Sequence, residues 1–286
     1  MPHLPPPSAW RPLLERALDE DLGSGDVTSQ LTLPADLRIE AAIEARQELV
    51  ICGLEVAAAA FAAAGGHVAF SATHRDGERA RSGEPLAWVE GAARQVLAAE
   101  RTALNFLGRL CGVATHTRRF VEAVSGTGAQ IVDTRKTIPG WRVLDKYAVA
   151  AGGGVNHRER LDDAILVKDN HIAAAGGVAA AVKAARAGAP PHLWLEVEVE
   201  SEEEAEAALE AGAQALLLDN RSAEELRRFV ARFGSRTVLE ASGGVSLENV
   251  RAVAETGVHR ISIGALTHSA PAADVALEVR PPGVPA

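Results

Sequence analysis

The chain has little that would mark it for an oxidising compartment, a membrane or a nucleic acid. Its 286 residues include only two cysteines, Cys52 and Cys111, and these form neither a CxxC pair nor a disulfide framework. Charge interrupts the alanine-rich apolar runs before any of them reaches the length of a membrane span. The opening Met-Pro-His-Leu-Pro-Pro-Pro lacks the basic and apolar regions of a secretory signal. Positive charge is in deficit, with 29 Lys and Arg against 38 Asp and Glu and a formal net charge of -9. That balance argues against a general nucleic-acid binder. The expectation is a cytoplasmic protein with no nucleic-acid or membrane partner.

What is present is an ordinary globular composition, 47% hydrophobic and 23% charged, long enough to bury one large core or two unequal ones. The scarce positive charge is concentrated. Between residues 131 and 171 fall Arg135, Lys136, Arg158 and Lys168, with His157 among them. The short apolar runs at 131 to 132 and 164 to 167 each stop at a polar cluster. Buried parallel strands look like this when they deliver side chains to a site at their C-terminal ends. The four cations and His157 point to a pocket for a small, strongly anionic substrate. Solvated surface loops are the alternative for either cluster alone, and a structural role is the alternative for His157.

Residues 1 to 9 read as a disordered, proline-rich tail. Leu13, Leu14, Ala17 and Leu18 recur at helical spacing, and the Gly-Ser-Gly-Asp-Val-Thr-Ser run at 23 to 29 ends that helix in a turn. Residues 37 to 46 alternate as a half-buried strand, 56 to 64 read as a helix, and 68 to 73 and 86 to 89 read as strands. A helix runs from 92 towards 110, where Arg101 reads, from the residues alone, as a surface or salt-bridge arginine. Strand candidates then recur at 193 to 199, 215 to 218, 237 to 241 and 260 to 263, with helical segments between them. This is the rhythm of repeating βα units. The expected fold is α/β: a parallel β/α barrel, complete or incomplete, over 111 to 269, with a smaller α+β sandwich domain over 10 to 110. The alternating run at 274 to 279 would return to the smaller domain's sheet and add 270 to 286 to it.

Polar residues sit repeatedly at the ends of these strands. Glu198 and Asp219 come from different strands, and such a carboxylate pair can hold Mg²⁺ directly or through water; helix capping or an ion pair to a lysine would also explain them. The segments Glu-Ala-Ser-Gly-Gly-Val at 240 to 245 and Ser-Ile-Gly-Ala-Leu-Thr at 262 to 267 look like phosphate loops. Their small residues permit close approach to backbone amides. Ser242, Gly243, Gly244 and Gly264 are the candidates.

Taken together, the motifs resemble the quinolinate phosphoribosyltransferase family, over about residues 13 to 277. The resemblance is carried by Glu-Arg-Thr-Ala-Leu-Asn at 100 to 105, Asp-Thr-Arg-Lys-Thr at 133 to 137, Gly-Gly-Gly-Val-Asn-His-Arg at 152 to 158 and Lys-Asp-Asn-His at 168 to 171. Glu-Val-Glu at 196 to 198, Leu-Asp-Asn at 218 to 220, Ser-Gly-Gly at 242 to 244 and Gly-Ala-Leu-Thr-His at 264 to 268 complete it. It implies decarboxylating phosphoribosyl transfer from 5-phosphoribosyl 1-pyrophosphate to quinolinate, in NAD biosynthesis. It implies that Arg135, His157, Arg158 and Lys168 surround the pyridine dicarboxylate. It also implies a homodimer with shared sites, in which Arg101 reaches that pocket from the partner. Lys136, Glu198 and Asp219 would face the ribose, pyrophosphate and Mg²⁺. Trp141, Cys111 and the Leu49-Val50 pair depart from the family's commoner residues. The competing readings are a barrel aldolase or lyase forming a Schiff base on Lys168, and a non-catalytic phosphosugar-binding module.

Overall fold

A computed structural model describes residues 3–65 and 67–280. The chain divides into two compact units, residues 1–118 with 137–153 and 266–286, and residues 119–136 with 154–265.

The first unit begins with α1 (Arg11–Leu22) and α2 (Val27–Thr32), followed by β1 (Arg38–Ala45), β2 (Leu49–Val50) and α3 (Leu54–Ala63). Then come β3 (Ala69–Ala72), β4 (Arg79–Ala80), β5 (Pro85–Ala92) and the long α4 (Ala93–Ala123). Residues 3–9 are not the disordered tail expected; residues 1 and 2 lie outside the described residues. Trp10 is buried and its indole N–H donates to the Pro5 carbonyl at 2.9 Å, while Pro7–Ala9 form one 3₁₀ turn. An aromatic anchor that satisfies its own donor orders the prolines before it. Asp26 caps α2 by accepting from the Ser29 amide at 3.0 Å, which stops the preceding glycine-rich turn.

β1 pairs antiparallel with β5 and also with the strand Val275–Val279 near the far end of the chain, so the smaller unit is discontinuous. α4 continues past the expected end near 110 to Ala123. Two glycines inside it have a packing reason. A Cβ on Gly112 would lie 2.1 Å from the Pro271 carbonyl oxygen, and the Ala273 amide donates to Gly108 O at 2.8 Å. The returning chain lies directly on the helix there, where a side chain would not fit.

Between the strands of the second unit, Thr137–Gly153 groups with the first unit, so the division does not fall at 110 and 269. This segment carries α5 (Arg142–Ala151), which follows β6 (Gln130–Val132) in sequence. Trp141 stacks on Phe106 at 4.5 Å between centroids, Asp145 meets Arg109, and the Tyr147 hydroxyl donates to Asp76 at 2.7 Å. These contacts tie α5 to the smaller unit whatever its place in the chain.

The second unit alternates strand and helix: β7 (Ile165–Val167), α6 (Asp169–Ala175), α7 (Val178–Gly188), β8 (Leu195–Glu198), α8 (Glu202–Glu210), β9 (Ala215–Asp219) and α9 (Ala223–Phe233). It continues with β10 (Val238–Ser242), α10 (Val250–Ala254) and β11 (Arg260–Ser262) and ends at Ala265; α11 (Ala265–His268) then leads into the first unit and the strand that returns to β1, which is β12. Ser201 and Ser222 cap α8 and α9, and acidic residues fill both first turns, where the helix dipole favours them. α6 and α7 are separated at Gly176 and Gly177, both at positive φ.

Six strands form one parallel sheet in the order β6-β11-β10-β9-β8-β7. The outer strands β6 and β7 do not pair with each other among the described residues, so the ladder is not closed. Side-chain alternation gives this sheet two different faces. Leu195, Val197, Leu216, Leu218, Leu239, Ala241 and Ile261 are buried apolar residues, as are the helical Ala205, Ala208, Leu226 and Phe229. The alternate positions of β8, β9 and β10 carry Glu196 and Glu198, Leu217 and Asp219, and Glu240 and Ser242. Polar chemistry is thus confined to one face, increasingly towards the C-terminal ends.

Candidate active site

Val155 carries the chain past the free edge of β6. Its amide donates to Ile131 O at 2.9 Å and its carbonyl accepts from the Asp133 amide at 3.1 Å. The next residues, Asn156, His157 and Arg158, are thereby delivered to the end of β6, beside Asp133, Thr134, Arg135 and Lys136. A cavity of about 390 Å³ opens there. It is lined by Asp133, Thr134, Arg135, Lys136, His157, Arg158, Leu166, Lys168, Leu217, Asp219, Glu240, Ser242 and Ser262. Arg135, Lys136, Arg158 and Lys168 therefore reach one space, with Asp219 and Ser242 from the later strands.

Arg158 is pulled below its ordinary pKa, first by burial and then by the neighbouring Arg135 guanidinium. Two guanidiniums close enough to oppose each other's charge make a ready receptor for a bound anion. The Arg158 side chain is steadied by donation to Ala164 O at 3.2 Å. Lys168 stands at the end of β7, 46% exposed, with its ammonium 3.3 Å from Glu198. The lysine ion pair considered for Glu198 is therefore present.

A second cavity of about 220 Å³ adjoins through Asp219 and is lined by Glu198, Val199, Glu200, Asp219, Asn220 and Arg221. Among the described residues Asn220 is the non-glycine residue with positive φ, +52°, and its side-chain amide donates to Asp219 Oδ2 at 2.7 Å. Its backbone amide donates to Ser242 O at 2.8 Å. This strained residue orients Asp219 and links β9 to the following glycine loop. Gly243 has φ +88°, and a Cβ there would strike Asn220 Oδ1 at 2.1 Å. Gly244 has φ +61° with open space where a Cβ would be. Ser242 lines the larger cavity; Gly243, Gly244 and Gly264 are not among its lining residues. Arg101 belongs to the first unit, on α4, with 63% of its side chain exposed.

Three buried carboxylates of the site were not singled out from the sequence. Asp133 Oδ1 accepts the His157 amide at 2.8 Å. Glu196 Oε2 lies 2.9 Å and Glu240 Oε1 3.6 Å from His157 Nε2. Glu196 and Glu240 are each 1% exposed. Burial, and then the Glu196 charge, push Glu240 up to about 7. The available signal was spacing: Glu196 is two residues from Glu198, and Glu240 two from Ser242, so each pair shares a strand face.

The geometry agrees with what comparison with known proteins finds. The family model described as "Quinolinate phosphoribosyl transferase, N-terminal domain" matches residues 26–111, and its counterpart "Quinolinate phosphoribosyl transferase, C-terminal domain" matches residues 113–278. A relative named nicotinate-nucleotide pyrophosphorylase [carboxylating], from Mycobacterium leprae, is 46% identical over 95% of this chain and 97% of its own length. A probable enzyme of the same name from Bacillus subtilis is 40% identical over 93% of this chain and 92% of its own. The solved structure of the nicotinate-nucleotide pyrophosphorylase from Francisella tularensis superposes with a TM-score of 0.92 at 37% identity, covering 96% of this chain and 98% of that one.

Proposed function

The chain belongs to the quinolinate phosphoribosyltransferase family, and on that premise we infer that it transfers a phosphoribosyl group to quinolinate with loss of carbon dioxide. The substrates are quinolinate and 5-phosphoribosyl 1-pyrophosphate, and the products nicotinate mononucleotide, pyrophosphate and carbon dioxide, a step of NAD biosynthesis. The carrying observation is that Arg135, Lys136, Arg158 and Lys168 converge with Asp219 on one cavity.

Arg135 and Arg158 offer planar donor forks to the two carboxylates of the pyridine ring, with Lys168 as a third positive charge and His157 at the cavity wall. Lys136, Glu198 and Asp219 face the ribose and pyrophosphate, and Ser242 with the Gly243, Gly244 and Gly264 backbone receives the 5-phosphate. Glu198 and Asp219 suit Mg²⁺, since the smaller cavity between them offers hard oxygen donors and no thiolate or imidazole. Bound there, Mg²⁺ would supply charge neutralisation for the departing pyrophosphate. The Lys168 ammonium beside Glu198 shares that carboxylate.

The pyridine nitrogen attacks the anomeric carbon as the bond to pyrophosphate breaks. Glu198 and Asp219 stabilise the positive character that develops on the ribose. The resulting pyridinium accepts the electron pair left when the adjacent carboxylate departs as carbon dioxide, and a proton then fills that position. His157 Nδ1 accepts from the Arg158 amide and Nε2 faces Glu196, so Lys168 is the better placed donor. The Schiff-base reading lacks support, because Lys168 is half exposed and ion-paired rather than desolvated.

Homodimers with shared sites, Arg101 entering from the partner, and a cytoplasmic location complete the proposal. The free, buried thiols of Cys52 and Cys111 suit a reducing compartment. No helix among the described residues is long and apolar enough to cross a membrane. The decisive assay follows quinolinate-dependent release of both nicotinate mononucleotide and carbon dioxide, omitting Mg²⁺ and each substrate in turn. Nicotinate would leave a cavity cation without its carboxylate, and its kcat/KM should fall by about 10³ or more; equal values for the two acids would refute the cationic pocket. Mixed Arg101→Ala and Lys168→Ala subunits should recover activity as heterodimers, and verified heterodimers without recovery would reject shared sites.

A further inference from the structure

His157 is bound on every polar edge by the protein itself. Its own amide goes to Asp133, its Nδ1 accepts the Arg158 amide at 2.8 Å, and its Nε2 lies 2.9 Å from Glu196. Because Nδ1 is an acceptor, the ring proton sits on Nε2, and a second proton on Nδ1 would oppose the Arg158 N–H. Glu196 Oε1 and Glu240 Oε2 are buried and have no hydrogen-bond partner among the described residues. Two almost fully buried carboxylates beside one neutral imidazole cost stability, and such a cost persists where it serves a site. Replacing both by apolar residues would fill the space at less cost, yet the fold keeps them next to the residue that precedes Arg158.

We propose that Glu196 and Glu240 are positioning residues for quinolinate: they hold His157 as its Nε2–H tautomer, and through Nδ1 that ring fixes the Arg158 backbone and so the guanidinium that grips the substrate. The proposal rests on the quinolinate reading of the cavity. It separates two kinds of carboxylate on one strand, with Glu198 facing the sugar and Glu196 acting through His157, beside its direct charge on Arg158. The contacts of both carboxylates with the ring lead on to Arg158, so the effect falls chiefly on quinolinate.

The test uses the full-length enzyme carrying ¹⁵N-labelled histidine, with Glu196→Leu, Glu240→Ala, Glu196→Gln, Glu240→Gln and Arg158→Ala variants. The wild type should show the ¹⁵N signature of a neutral Nε2–H ring for His157. Glu196→Leu and Glu240→Ala should raise the quinolinate KM by about tenfold or more, leaving kcat and the KM for 5-phosphoribosyl 1-pyrophosphate within about twofold. The Gln variants, which keep an acceptor oxygen, should recover most of that loss while moving the Nε2 resonance, because the acceptor has lost its charge. If the apolar variants do not fold, the Gln variants decide: an unmoved Nε2 resonance in both overturns the proposal. If Arg158→Ala weakens quinolinate binding and the carboxylate variants do not, the positioning role fails alone. If Arg158→Ala has no effect on quinolinate, the cavity reading fails and takes the positioning role with it.

Discussion

In the first unit the buried Asp145 carboxylate meets the Arg109 guanidinium at 2.9 Å, and that guanidinium also donates to the Thr267 carbonyl. In the second unit the buried Glu196 and Glu240 share a single histidine ring, while the guanidiniums of Arg135 and Arg158 gather in the cavity with like charge for a neighbour. The first arrangement pairs opposite charges and ties α4 to α5. The second sets like charges side by side, Glu196 beside Glu240 and Arg135 beside Arg158. Charge is thus paired with its opposite in the first unit and crowded beside its like in the second.

The contrast is sharpened most by removing a cavity cation. Arg135→Ala should lower kcat/KM for quinolinate by about 10³-fold while the melting temperature hardly moves; steady-state kinetics beside thermal unfolding checks both, and a small kinetic effect would undo the contrast. Arg109→Ala should do the opposite to stability, costing about 3–5 kcal/mol because Asp145 would be left buried and unpaired. Denaturant titration measures this, and a loss near zero would mean that the pair does not hold the unit.

The smallest effect depends on pH. Glu240 has its folded-state pKa raised from 4.5 to about 7, so the folded chain binds more protons than the unfolded one between those values. The stabilisation is full below about 4.5 and is lost as pH rises through about 7. Glu240→Gln, which cannot ionise, should gain on the wild type across that window by up to about 3 kcal/mol. Denaturation midpoints at pH 5 and pH 8 test this, and a difference that does not grow with pH would place Glu240 outside the titrating cluster.

Much of the architecture was legible because its signals are local. Alternation marked β1 and β12, apolar runs ending in polar clusters marked β6 and β7, and the spacing of the later strands marked the parallel sheet. Trp10 ordering the prolines before it, and α4 running on to Ala123, were not legible. Each depends on a partner distant in sequence or on packing that no local pattern encodes. Thr137–Gly153 is the clearest instance: its place in the chain suggests the second unit, while Trp141, Asp145 and Tyr147 bind it to the first.

At the site, the sequence by itself determined which charges exist and that Arg135, Lys136, Lys168 and Asp219 stand at strand ends. Residue type and period suffice for that, since a strand end is exposed to whatever the neighbouring ends present. Only the tertiary structure decided that Glu196 and Glu240 are nearly inaccessible and converge on His157 from separate strands. Burial and separation set the strength of an electrostatic interaction, and both are properties of the assembled sheet rather than of any single strand.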